Sequence, residues 1–146
     1  MKPSPLQLEQ HFFSKISLEA HTDGHIEADH LLNCTISIGQ AEGDARRFQV
    51  EVRLQLDSPP DKKTTYTGEI WAVGLFRVLE GWPEEKTALL VEANGVALLF
   101  GAIRELLLNL TSRGPWPQVR LNAFSFIPET KSSTDITPSN PISQPQ

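Results

Sequence analysis

The chain has a single cysteine, Cys34, so no disulfide can form within it. It has no excess of positive charge: Lys and Arg number 13 against 18 Asp and Glu, for a formal net charge of −5. Nucleic-acid binding needs a basic face, so nucleic acid is not an expected partner. There is no secretory leader pattern either. Met1 to Gln10 holds one lysine, two prolines and no apolar run. No stretch reads as the roughly 20 consecutive apolar residues of a membrane span. These absences lead to the expectation of a chain that works in a reducing cytoplasm.

Catalytic patterns are also missing. There is no glycine-rich phosphate loop, and no nucleophile with a recognisable elbow or neighbouring base, so neither an enzyme nor a cofactor is expected. His21, His25, His30 and Cys34, with Asp23, Glu27 and Asp29, resemble a metal-ligand set in composition only. Structural zinc sites pair their ligands at short spacing on a hairpin or helix. Here Cys34 falls on the apolar side of an alternating run, where it reads as a core residue, and the histidines sit in a polar loop. No metal is expected.

What the chain does have is alternation. From His11 to Ala20, Phe12, Ile16, Leu18 and Ala20 oppose Phe13, Lys15, Ser17 and Glu19, which predicts a strand. Leu32, Cys34, Ile36 and Ile38 predict a second, after a turn signal at Asp23-Gly24. Phe48, Val50, Val52, Leu54 and Leu56 alternate with polar residues in a third, with one face on a core and the other in water. The run from Thr64 to Leu79 begins in the same way and then turns apolar on both faces. Its second face needs cover from a loop, another subunit or a ligand. Gly74 within it suggests a bulge or a close backbone approach.

After Gly81-Trp82-Pro83, Glu84 to Ala93 predicts a short crossover helix. The longest helical signal follows. Asn94 can cap its start, and Gly114, ahead of Pro115, can end it in a left-handed conformation. Leu99, Phe100, Ile103, Leu106, Leu107 and Leu110 form its apolar face. The other face carries Ala97, Gly101, Arg104, Glu105, Leu108 and Ser112. Two readings fit: a core helix with one exposed leucine, or a helix buried on its second side by a partner subunit. An extended segment should run to Pro128. From Glu129 onward only Ile136 and Ile142 are strongly apolar, which predicts a disordered tail.

The expected fold is α+β: a four-stranded antiparallel meander sheet with one long helix packed on a face, a short crossover helix and a disordered tail. The expected organisation is a flexible arm over 1–10, one domain over 11–128 and the tail over 129–146.

The order Leu99-Phe100, Ile103-Arg104-Glu105, Ser112-Arg113-Gly114, Trp116-Pro117-Gln118, Leu121 and Phe126 resembles the SecB-type protein-export chaperones. Lys15 to Ala20 and Gly68 to Gly81 resemble them less closely. The resemblance implies an ATP-independent holdase for unfolded polypeptides, assembled as a dimer of dimers. It implies a client groove walled by Trp71, Val73, Leu75 and Trp82; the second helix face, with Ala97, Gly101, Arg104, Glu105 and Leu108, is the expected oligomer interface. Glu19 and Glu69 match positions through which the family contacts the SecA motor. Lys15 stands where the family pattern is acidic, and a Pro- and Ser-rich tail replaces the family's C-terminal helix. Both departures fit a diverged member, such as a dedicated chaperone for a toxin–antitoxin antitoxin. A non-chaperone homo-oligomer whose apolar surface is consumed by assembly is the remaining alternative.

Overall fold

The structure, a computed structural model, describes residues 2–121 and 136–137. Four long strands, β1 (Leu6–Ala20), β2 (Leu31–Gln40), β3 (Arg47–Asp57) and β4 (Tyr66–Val78), form an antiparallel sheet. A two-residue strand, β5 (Ile136–Thr137), lies parallel to β2. The order across the sheet is β1-β4-β3-β2-β5.

The expected meander holds for β2, β3 and β4. β1 pairs with β4 instead of β2, which corrects the simple meander order. The connection from His21 to His30 makes this possible, because it is long enough to step across the intervening strands, which lie about 4.8 Å apart. It is tied to the β3–β4 loop by His21 N–H donating to Thr65 O (2.8 Å) and His25 N–H donating to Lys63 O (2.9 Å).

β1 also begins earlier than expected. Leu6 is buried and pairs with Val78, so the strand starts inside the segment read as a flexible arm. The register shifts between Leu8 and Gln10 and again between Phe13 and Lys15. Each extra residue exchanges the two faces. Phe12 therefore faces outward opposite Val73, while Ile16 and Leu18 face the helix side opposite Ile70 and Gly68.

The helical part is one continuous run, Glu84–Thr111, of 28 residues. It opens as a 3-10 turn (Glu84–Lys86), passes through α1 (Thr87–Leu90) and a π turn (Val91–Gly95), and continues as α2 (Val96–Thr111). Glu84 and Glu85 in the first turn suit the positive end of the helix dipole. Asn94 does not cap a second helix, because it lies inside the π turn with helical backbone on both sides. Packing decides this: Val91, Gly95 and Val96 are all buried, and their contacts outweigh a capping preference.

The residues Thr87, Val91, Gly95, Leu99, Ile103, Leu107 and Thr111 are all buried and recur every four positions. An α-helix drifts about 40° over four residues, and a wider π turn takes back part of that drift. Gly74 permits the close approach, since a side chain there would press on Leu99 Cδ2 and the Phe76 ring. By length and composition alone this run is long and apolar enough to cross a membrane. Its buried stripe packs on β3 and β4 and makes it the core helix of the sheet.

The helix ends at Thr111 through tightened turns, with Arg113 N–H donating to Leu110 O and Gly114 N–H to Thr111 O. Gly114 does not adopt a left-handed conformation; among the described residues only Gly43 has a positive φ. The expected extended segment from Asn122 to Pro128, and all of the expected tail but β5, lie outside the described residues.

Candidate functional site

The two faces of the sheet differ in character. On the helix side, Phe48, Val50, Val52, Leu54 and Leu56 of β3 and Ile70, Ala72, Phe76 and Val78 of β4 are buried under the helix. The sheet is wider than its cover. Ile16 on β1 is 51% exposed and Leu32 on β2 is 38% exposed, although both point to the helix side. Cys34 is exposed for the same reason, which corrects its assignment to the core; apolar surroundings still push its thiol pKa up. Two apolar flanks therefore run beside the helix, one along β1 and one along β2.

The outer face carries Glu19, Glu69, Trp71, Val73 and Leu75. Trp71 lies between two cations, with Arg53 Cζ 3.9 Å and Lys15 Nζ 4.8 Å from its ring centroid. Its indole N–H donates to Glu69 Oε1 (3.0 Å), and Lys15 Nζ donates to Glu69 Oε2 (3.2 Å). The Lys15 hydrogen bond, with that of Trp71 second, holds the Glu69 carboxyl below the usual carboxylate range. Arg53 pairs in turn with Glu51 (3.1 Å). Val73 is buried between Phe12 and Glu51 in the register, and Leu75 is half-buried.

Trp82 is elsewhere. It packs against the helix-side core, so it forms no common wall with Trp71, Val73 and Leu75. The period of two puts those three on one face, while the loop after β4 carries Trp82 to the other. Sequence reasoning missed the residue that fixes this loop. The Arg46 guanidinium donates to Leu79 O and to Trp82 O, each at 2.7 Å. An arginine in a turn gives no sequence signal for such a clamp.

The residues Ala97, Gly101, Arg104, Glu105 and Leu108 share the helix face away from the sheet. Ala97 and Glu105 are exposed; Gly101, Arg104 and Leu108 are half-buried. A side chain added at Gly101 would meet nothing within 4 Å, and Leu98 beside it is 50% exposed.

The segment after the helix is stitched to β1 and β4. Trp116 Nε1–H donates to His21 O (3.0 Å), and Val119 N–H to Thr111 Oγ1 (2.9 Å). A Cβ at Gly114 would collide with the Tyr66 hydroxyl, so the glycine lets the chain pass over that ring. The Ser112-Arg113-Gly114 and Trp116-Pro117-Gln118 pattern is thus a structural latch.

Among the described residues no three His, Cys, Asp or Glu side chains gather as a metal site. His21 Nε2 is bonded to Thr67 Oγ1 (2.7 Å). The ring of His30 is half-buried, and desolvation lowers its pKa.

An antiparallel sheet under a single long helix, with apolar flanks left open on the covered face, defines an α+β subunit built to present apolar surface. The chain belongs to the SecB family: the family model "Preprotein translocase subunit SecB" matches residues 2–128. The protein-export protein SecB of Alcanivorax borkumensis is 32% identical over 85 residues, 58% of this chain. That match spans about half (54%) of the relative's length. A SecB-like chaperone of Mycobacterium tuberculosis, solved in complex with a peptide from an antitoxin, shares the fold with a TM-score of 0.61. At 19% identity the likeness covers 82% of this chain and 91% of that one.

Proposed function

We propose that this chain is an ATP-independent holdase that binds unfolded polypeptides, among them preproteins for Sec-dependent export, in the cytoplasm as a dimer of dimers. The observation that carries this reading is the mismatch between sheet and helix, which leaves Ile16 and Leu32 open on the helix-side face. Apolar grooves rimmed by polar residues bind partners by area and need no specific chemistry. The two flanks, with Trp82 at the end of the helix-side core, are the proposed client surface. Trp71, Val73 and Leu75 lie on the opposite face, where Arg53 and Lys15 pack on the Trp71 ring. The helix face through Ala97, Gly101, Arg104, Glu105 and Leu108 is the proposed subunit interface. The test is suppression of aggregation of an unrelated unfolded protein. Suppression at near-stoichiometric ratio is expected; a well-folded oligomer without it would favour a non-chaperone homo-oligomer.

One observation favours a second reading, a dedicated chaperone for a single client such as an antitoxin. Glu69, one of the two candidate SecA contacts, is already engaged by Lys15 and Trp71. Among the described residues Glu19 has no such tether. SecA affinity is expected to be weak in the natural chain and to rise in Lys15→Glu. Tight SecA binding by the natural chain would return the reading to a general export chaperone.

A further inference from the structure

We propose that the free edge of β2 is a strand-addition site that the chain's own C-terminal segment holds and gives up to an extended client. β2 is one of the two outermost of the four long strands, and among the described residues only its Ile38 and Gly39 take a further partner, Ile136 and Thr137 of β5. Among the described residues no strand pairs with the outer edge from Leu31 to Ser37. The proposal rests on the holdase reading and names how the β2 flank would receive a client.

The edge has what a strand needs. Alternate amides and carbonyls of an edge strand face outward unpaired, ready for another chain. Leu32, Cys34 and Ile36 point to the helix side, and Leu32 and Cys34 are exposed there. A chain added along Leu31 to Gly39 would gain main-chain hydrogen bonds and, through every second side chain, apolar contact with that flank.

The resident occupant is weak by construction. β5 is two residues long and parallel, a pairing slightly less stable per residue than antiparallel. The sequence around it is rich in Ser, Thr and Pro, with only Ile136 and Ile142 strongly apolar beyond Glu129. A longer apolar client strand needs the same positions, Ile38 and Gly39, to run the length of β2. The two therefore compete, and the tail sets a threshold that weak clients do not cross.

The test compares the full chain with a form lacking residues 132–146 and with Ile136→Pro, which removes a backbone donor. The probe is reduced, carboxymethylated α-lactalbumin, a permanently unfolded protein. Both altered forms should bind it about three- to tenfold more tightly, as expected when a competing state populated at about 70–90% is removed. Amide exchange at Ile38 and Gly39 should quicken without the tail, and probe binding should slow exchange across Leu31 to Gly39. Unchanged affinity, with aggregation suppression intact, would overturn the strand-edge proposal and leave the holdase reading standing. Absence of binding by every form would overturn both.

Discussion

Lys15 Nζ lies 3.2 Å from Glu69 Oε2 across the β1–β4 pair, so the position at which this chain departs from the SecB pattern neutralises a neighbouring family position. Lys15→Gln should let the Glu69 carboxyl titrate at higher pH, followed by NMR. Because its folded-state pKa is depressed, the pair's contribution is present above the ordinary glutamate value of 4.5 and is lost as pH falls below it. The groups are solvent-exposed, so the melting temperature at neutral pH should hardly move. An unchanged Glu69 titration would show that the pair does not form in solution.

The open space beside Gly101 makes a clean test of assembly. A Cβ at Gly101 would meet nothing within 4 Å, so Gly101→Leu adds bulk to the helix face away from the sheet, and Leu108→Arg places a charge on the same face. Sedimentation at micromolar concentration should show a tetramer, or at least a dimer, for the natural chain and smaller species for both variants, with unchanged far-UV circular dichroism. An unpaired buried charge costs about 3 kcal/mol or more, over a hundredfold in dissociation constant. A natural chain that sediments as a clean monomer would remove the interface altogether.

Gly114→Ala should destabilise the subunit by about 1–3 kcal/mol, the range for forcing a methyl into filled space. The cause is the Tyr66 hydroxyl, so Tyr66→Phe in the same chain should recover part of the loss. Thermal unfolding of the two single variants and the double variant closes the cycle. Additive losses would mean the strain lies elsewhere.

The client surface can be separated by face. Ile16→Ser with Leu32→Ser removes apolar area from both helix-side flanks, whereas Trp71→Ala with Leu75→Ser alters the outer face. At about 25 cal/mol per Å², losing two aliphatic side chains from a groove should weaken client binding by about tenfold or more. The outer-face pair should cost less. The reverse ranking would return the groove to Trp71, Val73 and Leu75.

Deleting residues 132–146 should shift the melting temperature by no more than a few degrees, since that segment holds little apolar surface to offset its ordering entropy. A collapse of assembly would show that the segment does more than pair with the β2 edge.

The parts of the fold legible in the sequence were those with a strong period. β3 alternates without interruption, and its buried set is the one its pattern predicts. The apolar face of α2 was equally plain at Leu99, Phe100, Ile103 and Leu107. What could not be read depended on a single residue or on distance along the chain. Bulges near Glu9 and Ser14 move Phe12 to the outer face, and no local composition signals them. Asn94 and Gly114 have the chemistry of caps, yet tertiary packing gives one to a π turn and the other to a Tyr66 contact. The sequence showed an apolar surplus on β4, whereas the open apolar area lies at Ile16 on β1 and Leu32 on β2, where the sheet is wider than its helix. Nor was the site legible as two separate faces, because the position of Trp82 is set by Arg46, some 36 residues away.

The π turn at Val91–Gly95 gives the long helix one point of tolerance to a change in length. Removing a residue between the π turn and Leu99 would rotate everything downstream by about 100° and turn Leu99 and Ile103 off the sheet. Removing one within these five lets the wide turn relax to an ordinary one, and both flanking stretches keep their orientation. The junction between the crossover and the core helix can therefore shorten by a residue while the packing on either side is kept.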